Sequence, residues 1–268
     1  MASVFHEIIS DVKGDVAARE ARVSFVEIKA RSRACPAPRD VKATLEQPGC
    51  EVIAEIKRAT PAQGLLARIE DPVKLAQALV DGGAALIACH TDPKRFKGSL
   101  EEMAAISAAI DAPVLCRDFI VDPYQIHEAR CYGADMLTLR PAMLDQARLS
   151  ALIDRTESLG MTALVEVRNT QEADRAIAAG ASVIGVNARD FATMELNMEA
   201  FATIAPGLPK HMFRIALSGV RSAKELLSYA ASGADAVVIG ESIVTAEHPR
   251  EACRVLVAAG RHPACPSR

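Results

Sequence analysis

From residue 51 onward the chain alternates between two patterns. Short apolar runs of strand type occur at 52–57, 84–89, 113–117, 135–139, 162–167, 182–187, 212–217 and 235–240, roughly 25 residues apart, with amphipathic segments between them. The runs are apolar at consecutive positions, as strands buried on both faces of a parallel sheet should be. The joints repeat as well. Gly83-Ala84, Gly133-Ala134-Asp135, Gly180-Ala181-Ser182 and Gly233-Ala234-Asp235 each stop a helix and open a strand. Eight such units in about 200 residues predict an α/β protein, a (β/α)8 TIM barrel. An open doubly wound sheet is the competing architecture, but no GxGxxG follows the first strand.

Upstream, Val4, Ile8, Ile9, Val12 and Val16 recur at helical spacing, so residues 3–30 predict one helix, broken by Ala34-Cys35-Pro36-Ala37-Pro38. Asp40 to Glu46 predicts one more helical turn before Pro48-Gly49. The expected organisation is a single domain, 1–268, with an N-terminal helical extension over 1–50 and the barrel over 51–260. The extension is expected to lie near the C-terminal rim of the barrel.

Barrels of this kind carry their chemistry at the C-terminal ends of the strands. The first run, Val52 to Lys57, ends in a carboxylate and an ammonium two residues apart, and residues i and i+2 of a strand project to the same side. Taken alone, Glu55 and Lys57 read as a strand-end salt bridge. The other strand ends change that picture. They carry His90 and Asp92; Arg117 and Asp118; Arg140; Glu166; Asn187, Arg189 and Asp190; Ser218-Gly219; and Gly240-Glu241-Ser242. Polar residues gathered on one rim describe a site. The glycines after strands seven and eight either serve only as turns or let backbone N–H groups approach an anion, and the loops there are the usual phosphate position of this fold. We expect a phosphate between those two turns, helped by Lys57, with Glu241 pointing away from it.

A net charge of −3 gives no electrostatic reason to expect nucleic acid or an anionic membrane, and no apolar run reaches membrane-spanning length. Met1 to Glu20 lacks the layout of a signal peptide. The seven cysteines form no CxxC pair, which predicts reduced thiols in a cytoplasmic protein, several of them small hydrophobes within strands. The absence of Trp and the scarcity of aromatics argue against base-stacking platforms. His6, His211, His248 and His262 show no metal-ligand spacing, so no metal is expected. His127 falls on a predicted helix and is expected at a surface or interface. Alternation turns Cys116 away from the rim. Lys94-Arg95-Phe96-Lys97-Gly98 reads as a solvated loop able to reach over a ligand.

Six stretches together resemble the indole-3-glycerol phosphate synthase family: EIKRATP at 55–61, RFKGSLE at 95–101, DFIVDPYQIHEAR at 118–130, TESLGMTALVEV at 156–167, VIGVNARD at 183–190 and SGV at 218–220. The resemblance covers nearly the whole chain, including the extension. It implies a carboxy-lyase of tryptophan biosynthesis, a monomer or weak homodimer, that needs no cofactor. The family closes an indole ring on 1-(2-carboxyphenylamino)-1-deoxyribulose 5-phosphate with loss of CO2 and water. It further implies catalytic roles for Lys57, Glu55, Glu166, Asn187 and the position of Arg117. It implies substrate contacts from Arg189, Ser218, Gly219 and Gly240, and the rim residues Thr60, His90, Arg140 and Glu241 are expected to contact the substrate beside them.

Departures from the family pattern fall on the rim. The family's Lys-Asp-Phe after strand three is here Arg117-Asp118-Phe119, its Glu-Ser-Gly after strand seven is Leu217-Ser218-Gly219, and an aliphatic pair after strand four is Arg140-Pro141. Thr-Glu after strand two is replaced by His90-Thr91-Asp92, and Ser-Pro-Ser after strand one by Thr60-Pro61-Ala62. Arginine keeps the charge of lysine but, with a pKa above about 12, is a poor proton donor. Three readings follow, in order of preference: the family reaction with Lys57 as its acid, a related phosphorylated anthranilate or amino-sugar adduct in a specialised pathway, or a ligand-binding protein without turnover.

Overall fold

The computed structural model describes residues 4–61, 63–190, 193–263 and 265. Eight parallel strands close into a barrel in sequential order: β1 (Glu51–Ile56), β2 (Leu86–His90), β3 (Val114–Arg117), β4 (Met136–Leu139), β5 (Thr162–Val167), β6 (Val183–Asn187), β7 (Phe213–Leu217) and β8 (Ala236–Ile239). β8 pairs back onto β1, with Ile53 opposite Val238. A short antiparallel hairpin, Ala59–Thr60 with Gly64–Leu65, follows β1. The doubly wound alternative is excluded by this closure.

Period-two alternation divides each strand between two cores. Val52, Ala54 and Ile56 face outward, among the residues covered by the surrounding helices. Ile53, Leu86, Ala88, Leu115, Met136, Leu164, Val183, Ile215, Leu217 and Val238 fill the barrel interior. Cys116 belongs to the outer core, as alternation required, and five of the seven cysteines are buried. Extending the inner register to the C-terminal ends turns it polar. Ile53 leads to Glu55, Ala88 to His90, Leu115 to Arg117, and Leu164 to Glu166. Gly133 (φ 85°) and Gly233 (φ 92°) take the left-handed conformation that stops a helix before the next strand.

The extension is three helices: α1 (Val4–Glu20), α2 (Phe25–Ala34) and α3 (Val41–Leu45). The single helix expected over 3–30 is interrupted at 21–24, because Ser24 accepts from Glu27 N and starts a new helix. α1 lies at the C-terminal rim, where Asp11 binds Arg95 at 2.7 Å and Asp15 binds Lys94 at 2.9 Å. α2 then packs along α6 (Pro123–Cys131), where Tyr124 OH donates to Val23 O at 3.0 Å. α3 lies at the opposite mouth, and Val41 and Leu45 join the barrel-interior core. Only α1 therefore meets the expectation of a helix at the rim. His127 is fully buried between α6 and α2, with Nδ1 2.7 Å from Ser32 Oγ and Phe25 edge-on to its ring. Among the described residues no helix is long and apolar enough to cross a membrane.

Candidate active site

The C-terminal mouth opens into a cleft of about 800 Å³, counted out to open solvent. Its wall includes Glu55, Lys57, Thr60, His90, Arg117, Asn187, Arg189, Ser218, Gly219, Gly240 and Glu241. Glu166 and Arg140 lie behind that wall.

A continuous ion-pair network joins these groups. Glu55 Oε2 accepts from Lys57 Nζ at 2.5 Å, and its Oε1 lies 3.0 Å from both His90 Nε2 and Arg117 Nη1. Arg117 Nη2 donates to Glu166 Oε2 at 2.9 Å, so one guanidinium bridges two carboxylates. Arg140 donates to Glu166 through Nε at 3.2 Å and Nη2 at 3.3 Å, and through Nη1 to Asp118 O at 2.6 Å. Asn187 Nδ2 completes the shell of Glu166 at 2.8 Å, while its Oδ1 accepts from Ser218 Oγ at 2.8 Å.

Burial by itself would raise the pKa of both carboxylates. For Glu55, Lys57, Arg117 and His90 overcome that effect and hold it well below the usual carboxylate range. For Glu166, Arg140, Arg117 and Asn187 do the same, and the carboxyl stays ionised. Burial pushes the His90 imidazole down to about 4, so it is neutral. An ionised carboxylate only accepts hydrogen bonds, so His90 Nε2 carries the hydrogen and Nδ1 the lone pair. Nδ1 has no hydrogen-bond partner among the described residues. Arg117 Nε is buried and has no partner among the described residues.

Glycine is needed at the end of β8, because a Cβ on Gly240 would stand 2.5 Å from Glu55 Oε2. Ser218 (φ 68°) and Gly219 (φ 80°) are both left-handed, a strain of about 1–3 kcal/mol for a serine that marks this turn as functional. Glu241 Oε1 accepts from Gln63 Nε2 at 3.0 Å across the mouth. Thr60 Oγ1 accepts from Gln63 N at 3.1 Å, and Arg189 Nη1 donates to Met194 O at 2.9 Å.

Two expectations need correction. Arg140, expected among substrate contacts, is buried behind Glu166, with its guanidinium 4.8 Å above the Phe119 ring. The loop from Lys94 to Gly98 is not simply solvated. Lys94 and Arg95 are paired with α1, and Phe96 is buried, stacked on His90 with centroids 3.7 Å apart. Gly98 is required there, since a Cβ would collide with the His90 carbonyl. Phe96, Gln63 and Arg221 line the cleft without having been singled out by the sequence. One apolar residue inside a basic run was the available signal for Phe96. Among the described residues no group of three or more His, Cys, Asp or Glu is arranged to hold a metal.

The family description indole-3-glycerol phosphate synthase matches residues 5–256. Over 265 residues the chain is 58% identical to the indole-3-glycerol phosphate synthase of Mycobacterium leprae (strain Br4923), covering 99% of this chain and 97% of that protein. The chain belongs to the indole-3-glycerol phosphate synthase family. The protein of the same name from Mycobacterium tuberculosis (strain ATCC 25177 / H37Ra) is 57% identical over 99% of this chain and 97% of its own length. Among solved structures, the N-acetylmannosamine-6-phosphate 2-epimerase of Clostridium perfringens superposes with a TM-score of 0.61 at 14% identity, over 78% of this chain and 94% of that one, a likeness of fold alone. Membership of the indole-3-glycerol phosphate synthase family does not favour the specialised-adduct or non-catalytic readings. The departures at His90, Arg117 and Arg140 are all members of one bonded network, and Leu217 packs in the barrel interior.

Proposed function

We propose that the chain is a cytoplasmic carboxy-lyase of tryptophan biosynthesis, a single-domain monomer or weak homodimer. Its substrate is the small phosphorylated molecule 1-(2-carboxyphenylamino)-1-deoxyribulose 5-phosphate, whose indole ring it closes with loss of CO2 and water. The reading is carried by one observation: Glu55, Lys57, Asn187, Ser218, Gly219 and Gly240 share a single cleft in a chain that the family covers from residue 5 to 256.

The substrate's phosphate sits between the Ser218-Gly219 turn and the Gly240-Glu241-Ser242 turn, with Arg221 adding positive charge. Ser242 Oγ, on the short helix that follows Gly240, is buried without a partner among the described residues and is available to donate to the phosphate. Arg189 lies beside the substrate carboxylate. The ring carbon bearing that carboxylate attacks the ketone carbon, and the ketone oxygen takes a proton. CO2 then leaves, the hydroxyl departs as water with a second proton, and loss of a methylene proton completes the indole. Lys57 is the proton donor. Among the described residues it is the wall's only ammonium group, and a guanidinium is by its chemistry a poor proton donor. Glu55 and Glu166, both ionised, stabilise the iminium-like intermediate, and Arg117 and Arg140 fix their positions.

Incubation with the carboxyphenylamino-deoxyribulose phosphate tests the reading. Indole absorbance should rise with CO2 release, and mass spectrometry should find indole-3-glycerol phosphate. Substrate left unchanged at saturating concentration would reject it.

A further inference from the structure

The proposed reaction ends with the removal of a proton from carbon, and the most obvious carboxylate is poorly placed for it. Glu166 has both oxygens engaged, by Arg117, Arg140 and Asn187, and it does not line the cleft. His90 has the opposite arrangement. Its Nε2 is anchored on Glu55 at 3.0 Å, its ring is held in place by stacking on Phe96, and it lines the cleft. Nδ1 is left with its lone pair and no hydrogen-bond partner among the described residues. An imidazole whose far nitrogen is tied to a carboxylate is fixed in one tautomer and oriented to act as a base.

We propose that His90 is the catalytic base of this site, with Glu55 as its positioning residue. The inference rests on the reaction proposed above. In the final step the C–H bond of the methylene carbon next to nitrogen breaks, and its electron pair becomes the ring C=C bond. The proton passes to His90 Nδ1. The resulting imidazolium is stabilised by Glu55, which already accepts from Nε2. Lys57 gives one proton to the ketone oxygen and, after recharging from solvent, a second to the departing hydroxyl, while His90 takes one; the net proton comes from solvent and offsets the negative charge lost as the carboxylate leaves as CO2. Glu55 touches both groups. Exchange with solvent through the open cleft returns each group to its starting state. Lys57 on β1's extension, Arg117 on β3 and Phe96 on the following loop are the other groups that face the imidazole.

The test is turnover of substrate carrying deuterium at that methylene, by the wild type, His90→Gln and Glu166→Gln. Glutamine can keep a donor on Glu55 but offers no basic nitrogen. His90→Gln should lower kcat by about 10²–10³ with KM within about twofold, and the deuterium effect on kcat should grow as C–H cleavage becomes limiting. Glu166→Gln should leave the deuterium effect at its wild-type size even where kcat falls. A larger deuterium effect in Glu166→Gln, or none in His90→Gln, overturns the assignment while leaving the reaction in place. A wild type that forms no indole product overturns the reaction and the assignment together. Nitrogen NMR of ¹⁵N-histidine-labelled protein gives a readout without substrate: His90 should be the Nε2–H tautomer at neutral pH, and an Nδ1–H tautomer rejects the proposal.

Discussion

The two mouths of the barrel use the same residue types to opposite ends. At the N-terminal mouth, Asp135 accepts from the backbone N–H groups of Arg39 at 2.7 Å and Val114 at 2.8 Å, and Asp235 from that of Arg214 at 2.6 Å. Val41 and Leu45 close the interior above them. These carboxylates tie chain to chain. At the C-terminal mouth, Glu55 and Glu166 are held by lysine, arginine, histidine and asparagine side chains beside an open cleft. A side-chain cation can exchange a protein partner for a substrate group, and a backbone N–H in a strand cannot. One mouth therefore holds charge for stability and the other for chemistry.

The comparison is broken most severely by Lys57→Met. We expect kcat/KM on the carboxyphenylamino-deoxyribulose phosphate to fall by about 10²–10⁴, the range that general acid catalysis supplies. The urea midpoint should barely move, because Arg117 and His90 still accompany Glu55. Arg39→Ala is the matching change at the other mouth. It removes the charge partner of Asp135 and bonds to Ser107 and Ile110, and should cost about 3 kcal/mol of stability with kcat unchanged. Urea unfolding and steady-state kinetics on both variants check the pair. Equal losses of kcat/KM in the two would abolish the distinction.

Acid unfolding sharpens it next. Burial pushes His127, between α6 and α2, and His90, in the cleft, each down to about 4. In the unfolded chain each would titrate near about 6.5. Between those values the unfolded state binds more protons, so stability falls as pH drops from about 6.5 towards 4, by up to about 1.4 kcal/mol per pH unit per histidine. Glu55 and Glu166, also depressed, act in the same direction below about pH 4.5. Asp118 and Glu128, raised by burial, act in the opposite direction. His127→Gln should therefore flatten the pH dependence of unfolding free energy between pH 7 and 5 without altering kcat. An unchanged slope would show that His127 is not the group being titrated.

What the sequence revealed follows the same division. Period-two alternation is local, so it placed Glu55, Arg117, Glu166 and Asn187 on the inner face of their strands, at the correct end. The glycine joints and doubly apolar strands were enough to indicate closure. Residues on loops escaped, because no periodicity records where a loop returns. Phe96 folds back onto His90, and Gln63 reaches Glu241. Arg140 was recognised as a rim cation, but its place behind Glu166 depends on pairing across 26 positions of sequence. The helical pattern over 3–30 likewise could not show that the chain turns at Ser24 to run from the rim down along α6.

The smallest expected effect concerns Arg117, where the two uses of charge meet. Arg117 bridges Glu55 and Glu166 as a structural clamp, yet it lines the cleft. A lysine there would reach one carboxylate rather than two, since an ammonium lacks the planar fork. Arg117→Lys should therefore lose about 1 kcal/mol of stability, within the usual range for a changed ion pair. It should also restore a proton that can be transferred. If the clamp serves only position, the variant should turn over the carboxyphenylamino-deoxyribulose phosphate faster, by about tenfold, less than the roughly 10²–10⁴ a sole general acid contributes because Lys57 already donates. If kcat/KM instead falls, Arg117 is an anchor matched to a substrate carboxylate or phosphate through bidentate hydrogen bonds, and its charge belongs with the chemistry of the open mouth. Measuring kcat/KM for wild type, Arg117→Lys and Lys57→Met on one substrate preparation, with product identified by mass, separates the two outcomes.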